Sequence, residues 1–110
     1  SFMSDCIRNV YDTILDRREH PGENSYTNYL FTQGIDKILK KIGEECAETI
    51  IAAKNGNNEE TAGEICDLVY HTLVLMALQG ITPEDLETIL NSRHTKSGNL
   101  KQFKIVDKNT

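Results

Sequence analysis

From Leu68 to Leu78 the chain is apolar on nearly every side, with His71 inside the run. A helix that is apolar all round must be buried over most of its surface. The stretch is too short to cross a bilayer, so the covering surface has to be protein. With 110 residues the chain suits one domain with a modest core, and a second copy would add burial that a single short bundle lacks. The same helix carries one polar strip. Glu64, Asp67 and His71 stand at i, i+3 and i+7, on one face. Carboxylates on an otherwise buried helix are costly unless a cation or hydrogen bonds neutralise them.

Periodicity places the other helices around this one. Ile7, Val10, Tyr11, Ile14 and Leu15 make residues 5–18 an amphipathic helix. His20 to Ser25, with Pro21 and Gly22, reads as a loop, and Tyr26 to Thr32 as a short helical turn. Gly34 weakens the next helix without having to break it. Residues 35–54 form the second main helix, with Ile35, Ile38, Leu39, Ile42, Cys46, Thr49, Ile50 and Ala53 on one stripe. Cys46 and Cys66 read as core positions. Asn55-Gly56-Asn57-Asn58 is a stop and a turn. The third main helix runs from about Glu59 to Gln79 and ends at Gly80. Thr82-Pro83-Glu84-Asp85 starts a fourth, reaching about Arg93, with an N-cap hydroxyl and first-turn acids. The expected fold is all-α, a bundle of four to five helices whose short connections make neighbours antiparallel. Residues 4–94 form the domain, 95–110 a polar tail with one apolar patch at Phe103, Ile105 and Val106, and Ser1-Phe2 a tag remnant.

A net charge of −5 gives no reason to expect a nucleic-acid groove. The acids are concentrated. Between Glu44 and Asp67 stand seven carboxylates and one lysine, Lys54, with Lys37, Lys40 and Lys41 just upstream. Such a cluster suits a site that holds a divalent cation together with a phosphate ligand. Three cysteines without a C-x-x-C pair argue against a disulfide framework and for a reducing, cytoplasmic setting. The N-terminus lacks the apolar run of a signal peptide, and neither nucleic acid nor membrane is expected as a partner.

Glu45 and Glu48 are neighbours on the second helix, at the rim of its apolar stripe, and Lys41 shares their edge. If the Asn55–Asn58 turn folds the two helices antiparallel, Glu45, Glu48, Glu64 and Asp67 converge. A bound cation relieves the resulting repulsion, and all-oxygen ligation points to Mg²⁺, or Mn²⁺ in its place, rather than zinc. A single E-x-x-E is usually a solvated face; the second acidic pair, on an apolar helix one turn away, is what suggests a metal site. A di-iron bundle wants two Glu-x-x-His motifs, and the chain has none. The lysines also fit plain surface charge, and Ser25-Tyr26-Thr27 a plain helix cap.

Glu44-Glu45-Cys46-Ala47-Glu48 followed by Glu64-Ile65-Cys66-Asp67 resembles the E-E-x-x-E … E-x-x-D pattern of the MazG-like, all-α nucleoside triphosphate pyrophosphohydrolases. Within that superfamily the chain is most similar to the phosphoribosyl-ATP pyrophosphohydrolase family. Ser25-Tyr26-Thr27 with Leu30-Phe31, Lys40-Lys41-Ile42-Gly43-Glu44-Glu45, Ala52-Ala53-Lys54-Asn55, Asp67-Leu68-Val69-Tyr70-His71 and Leu73-Val74-Leu75 carry the likeness, over residues 5–94. The resemblance implies a homodimer with sites built largely between chains. It implies hydrolysis of phosphoribosyl-ATP to phosphoribosyl-AMP and pyrophosphate, the second step of histidine biosynthesis. It further implies that Glu45, Glu48, Glu64 and Asp67 ligate Mg²⁺, with Glu44 supporting them or orienting water. By that resemblance Lys41, Ser25, Tyr26 and Thr27 become candidate phosphate and ribose contacts and Tyr70 and His71 the substrate side, while Lys37 is a candidate phosphate contact from its place upstream of the acids alone. Many members carry a preceding phosphoribosyl-AMP cyclohydrolase domain, and this chain resembles the stand-alone form. A house-cleaning (d)NTP pyrophosphohydrolase and a non-catalytic helical interaction module are the alternatives.

Overall fold

The computed structural model describes residues 2–22 and 24–95. Among these, five helices follow in order: α1 (Phe2–Glu19), α2 (Tyr26–Gln33), α3 (Ile35–Lys54), α4 (Asn58–Gln79) and α5 (Pro83–Thr95). The described residues contain no strand, as expected for an all-α chain. Of the expected tail, Thr95 closes α5 and the remainder, with Phe103, Ile105 and Val106, lies outside the described residues.

The helix ends follow local chemistry. The Ser25 hydroxyl caps α2 by accepting from the Asn28 amide. Gly34, at φ 89°, separates α2 from α3, so the glycine does break the chain into two helices. The Asn57 side chain caps α4 through the Glu60 amide at 3.0 Å. Gly80 ends α4 in the left-handed conformation, φ 74° and ψ 22°. At α5 the cap is reciprocal: the Thr82 amide donates to Asp85 Oδ2 at 2.8 Å, and the Asp85 amide to Thr82 Oγ1 at 3.2 Å.

α3 and α4 share the largest helix interface and form an antiparallel hairpin. α1 and α2 pack against that hairpin, and α4 touches α1, α2 and α3. The core joins Tyr11 and Ile14 of α1, Leu30 of α2, Ile38 of α3, and Leu73, Val74, Met76 and Ala77 of α4. By length and composition alone α4 is apolar enough to span a bilayer; here its second half supplies the centre of the bundle. α1 also closes the carbonyl end of α4. The Tyr11 hydroxyl donates to the Ile81 carbonyl at 2.8 Å, and Arg18 donates to the Ala77 carbonyl at 2.8 Å with its guanidinium over the Phe31 ring.

Two expectations need correction. The buried face of α3 runs through Ile38, Glu45 and Ala52, while Ile35, Leu39, Cys46, Ile50 and Ala53 of the expected stripe are exposed. Cys46 and Cys66 are likewise exposed within the chain, not core. Both follow from the α3–α4 hairpin having an apolar side that its own chain leaves open, with Ile50 and Ile51 on α3 and Ile65 and Val69 on α4.

Candidate active site

Glu48 lies about two helical turns before Asn55, and Glu64 about two turns after Asn57. Equal distances from a tight turn put them level across the hairpin, and Glu45 follows one turn further up α3. Ligand oxygens of Glu45, Glu48 and Glu64 all lie within 4.8 Å of one another. Glu45 is only 6% exposed, inside the α3–α4 interface and not at its rim. Oε2 of Glu45 and Oε2 of Glu64 are buried and, among the described residues, meet no hydrogen-bond donor.

Crowding sets the protonation of the trio. Glu48 and Glu45 favour the protonated form of Glu64 and push its pKa up to about 7. Burial raises the Glu45 carboxyl. Glu48 is held below the ordinary carboxylate range, first by hydrogen bonding to its ionised form from Glu64. Lys41 is the cation whose charge reaches Glu48, yet its ammonium stands 3.9 Å from Glu44, an exposed residue on the same helix edge. Three converging carboxylates, two of them with a buried oxygen that lacks a donor, fit a hard divalent cation of the Mg²⁺ or Mn²⁺ type.

Asp67 stands apart from the trio. Its side chain is exposed, though its charge is felt at Glu45. Its backbone carbonyl is engaged by Nδ1 of His71 at 2.8 Å.

The segment Ser25–Thr27 meets α4 next to these acids. The Tyr26 hydroxyl lies 2.9 Å from Nε2 of His71, and the Thr27 hydroxyl contacts the Tyr70 hydroxyl. His71 is 5% exposed, with Nδ1 3.9 Å from Oε1 of Glu45. Desolvation raises the Tyr26 phenol pKa, against the lowering pull of Lys41. The Tyr26 ring stacks on Tyr29 at 6.0 Å and on Tyr70 at 6.2 Å, and Lys37 sits 5.9 Å from the centre of the Tyr29 ring. All three hydroxyls of Ser25, Tyr26 and Thr27 are therefore used inside the protein. What this segment offers outward is the half-exposed face of Tyr26, beside Tyr29, Lys37 and Lys41. Tyr29 was not singled out in the sequence; its place one turn after Tyr26 is the signal that could have found it.

Comparison with known proteins places the chain in a family. Residues 7–94 match the family model described as phosphoribosyl-ATP pyrophosphohydrolase. A phosphoribosyl-ATP pyrophosphatase of Clostridium novyi is 54% identical over 97 residues, covering 88% of each chain. One from Pelotomaculum thermopropionicum is 58% identical over 92 residues, 84% of this chain and 94% of the relative. The histidine biosynthesis bifunctional protein HisIE of Lactococcus lactis is 51% identical over 100 residues, which cover 91% of this chain but 47% of that longer relative. Matched over most of its length by the family model and by these relatives, the chain belongs to the phosphoribosyl-ATP pyrophosphohydrolase family.

Proposed function

We propose that the chain hydrolyses phosphoribosyl-ATP to phosphoribosyl-AMP and pyrophosphate, water attacking between the α and β phosphates, and so serves histidine biosynthesis. The observation that carries the site assignment is the convergence of Glu45, Glu48 and Glu64 with two buried, donorless oxygens. Family membership supplies the substrate.

Glu45, Glu48 and Glu64 would hold Mg²⁺, with Asp67 completing the set from the rim. When bound, the ion would polarise the phosphate oxygens and neutralise developing charge. The protein's own part is placement. Glu44, exposed on α3 and 3.9 Å from the Lys41 ammonium, would support the trio or orient water toward the α phosphate, an alignment worth far more than its contact energy. Lys41 and Lys37 share the charge of the departing pyrophosphate. The Tyr26 face, with Tyr29 and Tyr70 behind it, lines the nucleoside side.

The active form is a homodimer. Ile50 and Ile51 are 64% and 59% exposed, and Ile35, Leu39, Ile65 and Val69 of the same hairpin are also open. A second hairpin packed on this one by a two-fold axis buries both sets at once. The dimer works in the cytosol on a soluble nucleotide.

The deciding experiment measures pyrophosphate release from phosphoribosyl-ATP, with and without Mg²⁺, beside a panel of dNTPs. Release that needs the metal and is fastest on phosphoribosyl-ATP supports the assignment. Preference for a dNTP would move the protein to the house-cleaning class, and full activity in EDTA would remove the metal.

A further inference from the structure

His71 looks at first like one more group lining the substrate. Its surroundings say otherwise. The ring is buried, and both nitrogens are engaged within the protein, Nδ1 with the Asp67 carbonyl at 2.8 Å and Nε2 with the Tyr26 hydroxyl at 2.9 Å. A carbonyl only accepts, so Nδ1 carries a proton. In the neutral ring Nε2 then accepts from the Tyr26 O–H. No ring nitrogen is left for a phosphate or a ribose.

The contacts have a direction. His71 sits on the stretch of α4 that comes after Glu64 and Asp67, 3.9 Å from Glu45. Tyr26 begins α2, and two residues before it Asn24 takes a positive φ of 62°. Leu30 anchors the middle of α2 in the core; among the described residues the hydrogen bonds that tie the start of α2 to other elements are Tyr26–His71 and Thr27–Tyr70, both to α4, with the Asn28 side chain on the Gly22 carbonyl at 3.2 Å. The imidazole also meets the Tyr26 ring edge-on, at 5.7 Å and 88°, and the Tyr70 ring at 5.1 Å and 79°. One buried ring thus sets both the position and the tilt of the exposed Tyr26 face.

We propose that His71 is a positioning residue: it latches the start of α2 onto the carboxylate-bearing part of α4, so that the Tyr26 face and the acidic trio keep one fixed separation. This rests on the hydrolysis proposed above as the reaction served. The latch acts on substrate seating, through Tyr26, and leaves ion binding to the carboxylates.

The test is a mutant cycle in the full chain with Mg²⁺, using phosphoribosyl-ATP and steady-state kinetics. Tyr26→Phe removes one hydroxyl and His71→Leu replaces the imidazole with an apolar side chain of similar volume. Each single variant is expected to raise KM roughly tenfold, the size of one lost buried hydrogen bond, with a smaller change in kcat. The double variant should be no worse than His71→Leu alone, because both cut the same link. His71→Gln, whose amide can reach the Tyr26 hydroxyl, should recover most of the lost affinity. Mn²⁺ affinity of Tyr26→Phe without substrate should equal that of the wild type.

Additive losses would mean that His71 touches substrate itself. A wild-type KM in Tyr26→Phe, or loss confined to melting temperature, would make the histidine a plain core residue. Either overturns the proposal, and Tyr26→Phe decides it even if His71→Leu fails to fold. No pyrophosphate release by the wild type would overturn the hydrolase assignment and this proposal together, whereas wild-type turnover with additive losses overturns this one alone.

Discussion

Glu45 on α3 and Glu64 on α4 approach within 4.8 Å across the hairpin, and each keeps a buried Oε2 that no donor meets. Two acids so placed cannot both ionise at low cost. Either a proton or a cation must lie between them, and the competition between the two is measurable.

Glu64 is raised from its ordinary 4.5 to about 7. Between those values the folded, metal-free protein holds more proton than the unfolded chain, so its stability falls as pH rises through that window. Glu45, also raised, adds in the same direction. Glu48 is depressed; its contribution is present at higher pH and is lost only as pH falls through its low folded value. Mn²⁺ affinity should therefore climb from about pH 5 and level off above about pH 7, with proton release on binding. Calorimetric titration in two buffers of different ionisation enthalpy reads both effects.

Neutralising the acids should stop turnover without unfolding the helices. Glu48→Gln and Glu64→Gln should each lower kcat by roughly 100-fold or more, as removal of a preorganised charge does elsewhere. Asp67→Asn should also lower turnover, and by less, since that side chain is exposed and outside the trio. Circular dichroism should stay at wild-type helicity. Near-normal rates in Glu48→Gln would remove it from the site.

Core truncation should act on stability alone. Leu30 and Ile38 are fully buried. Leu30→Ala or Ile38→Ala should cost about 3 kcal/mol, the transfer term plus a cavity. Urea unfolding at fixed protein concentration checks this, because self-association would make the midpoint depend on concentration.

Charging the open side of the hairpin should separate subunits. Ile50→Glu and Ile51→Glu place a carboxylate where the single chain leaves isoleucine exposed, so the isolated fold has nothing to lose there. Light scattering should report a dimer for the wild type and a monomer for the double variant. Equal masses for both would remove this face as the interface.

Much of the fold is legible in the sequence because its boundaries rest on single residues with one physical meaning. Asn55 with Gly56, Gly80 and the Thr82–Asp85 box mark helix ends, and α3 occupies the span Ile35–Lys54 that periodicity gives, whereas Gly34 read only as a weak point and proves to be a break. The face that α3 turns inward is harder. Counting apolar positions favours Ile35, Leu39, Cys46 and Ile50, yet Glu45 lies inside and those four lie outside. Periodicity detects apolar arcs but not which arc the same chain covers, and it placed Glu45 only at the rim of its stripe. The convergence of Glu45 and Glu48 with Glu64 was readable from spacing, given an antiparallel turn. The engagement of His71 by Tyr26 was not, since it depends on where α2 docks.

The turn between α3 and α4 spans only Asn55 to Asn57, with Gly56 at φ 71° and open space where its Cβ would point. Adding or deleting one residue there would spin α4 by about 100° about its own axis relative to α3. Glu64 would swing out of phase with Glu45 and Glu48 while every helix remained intact. Loop length therefore works as a timing mark for the chemistry: exchanging Gly56 or the capping Asn57 costs stability and leaves the phase of the two helices alone, whereas an insertion shifts that phase.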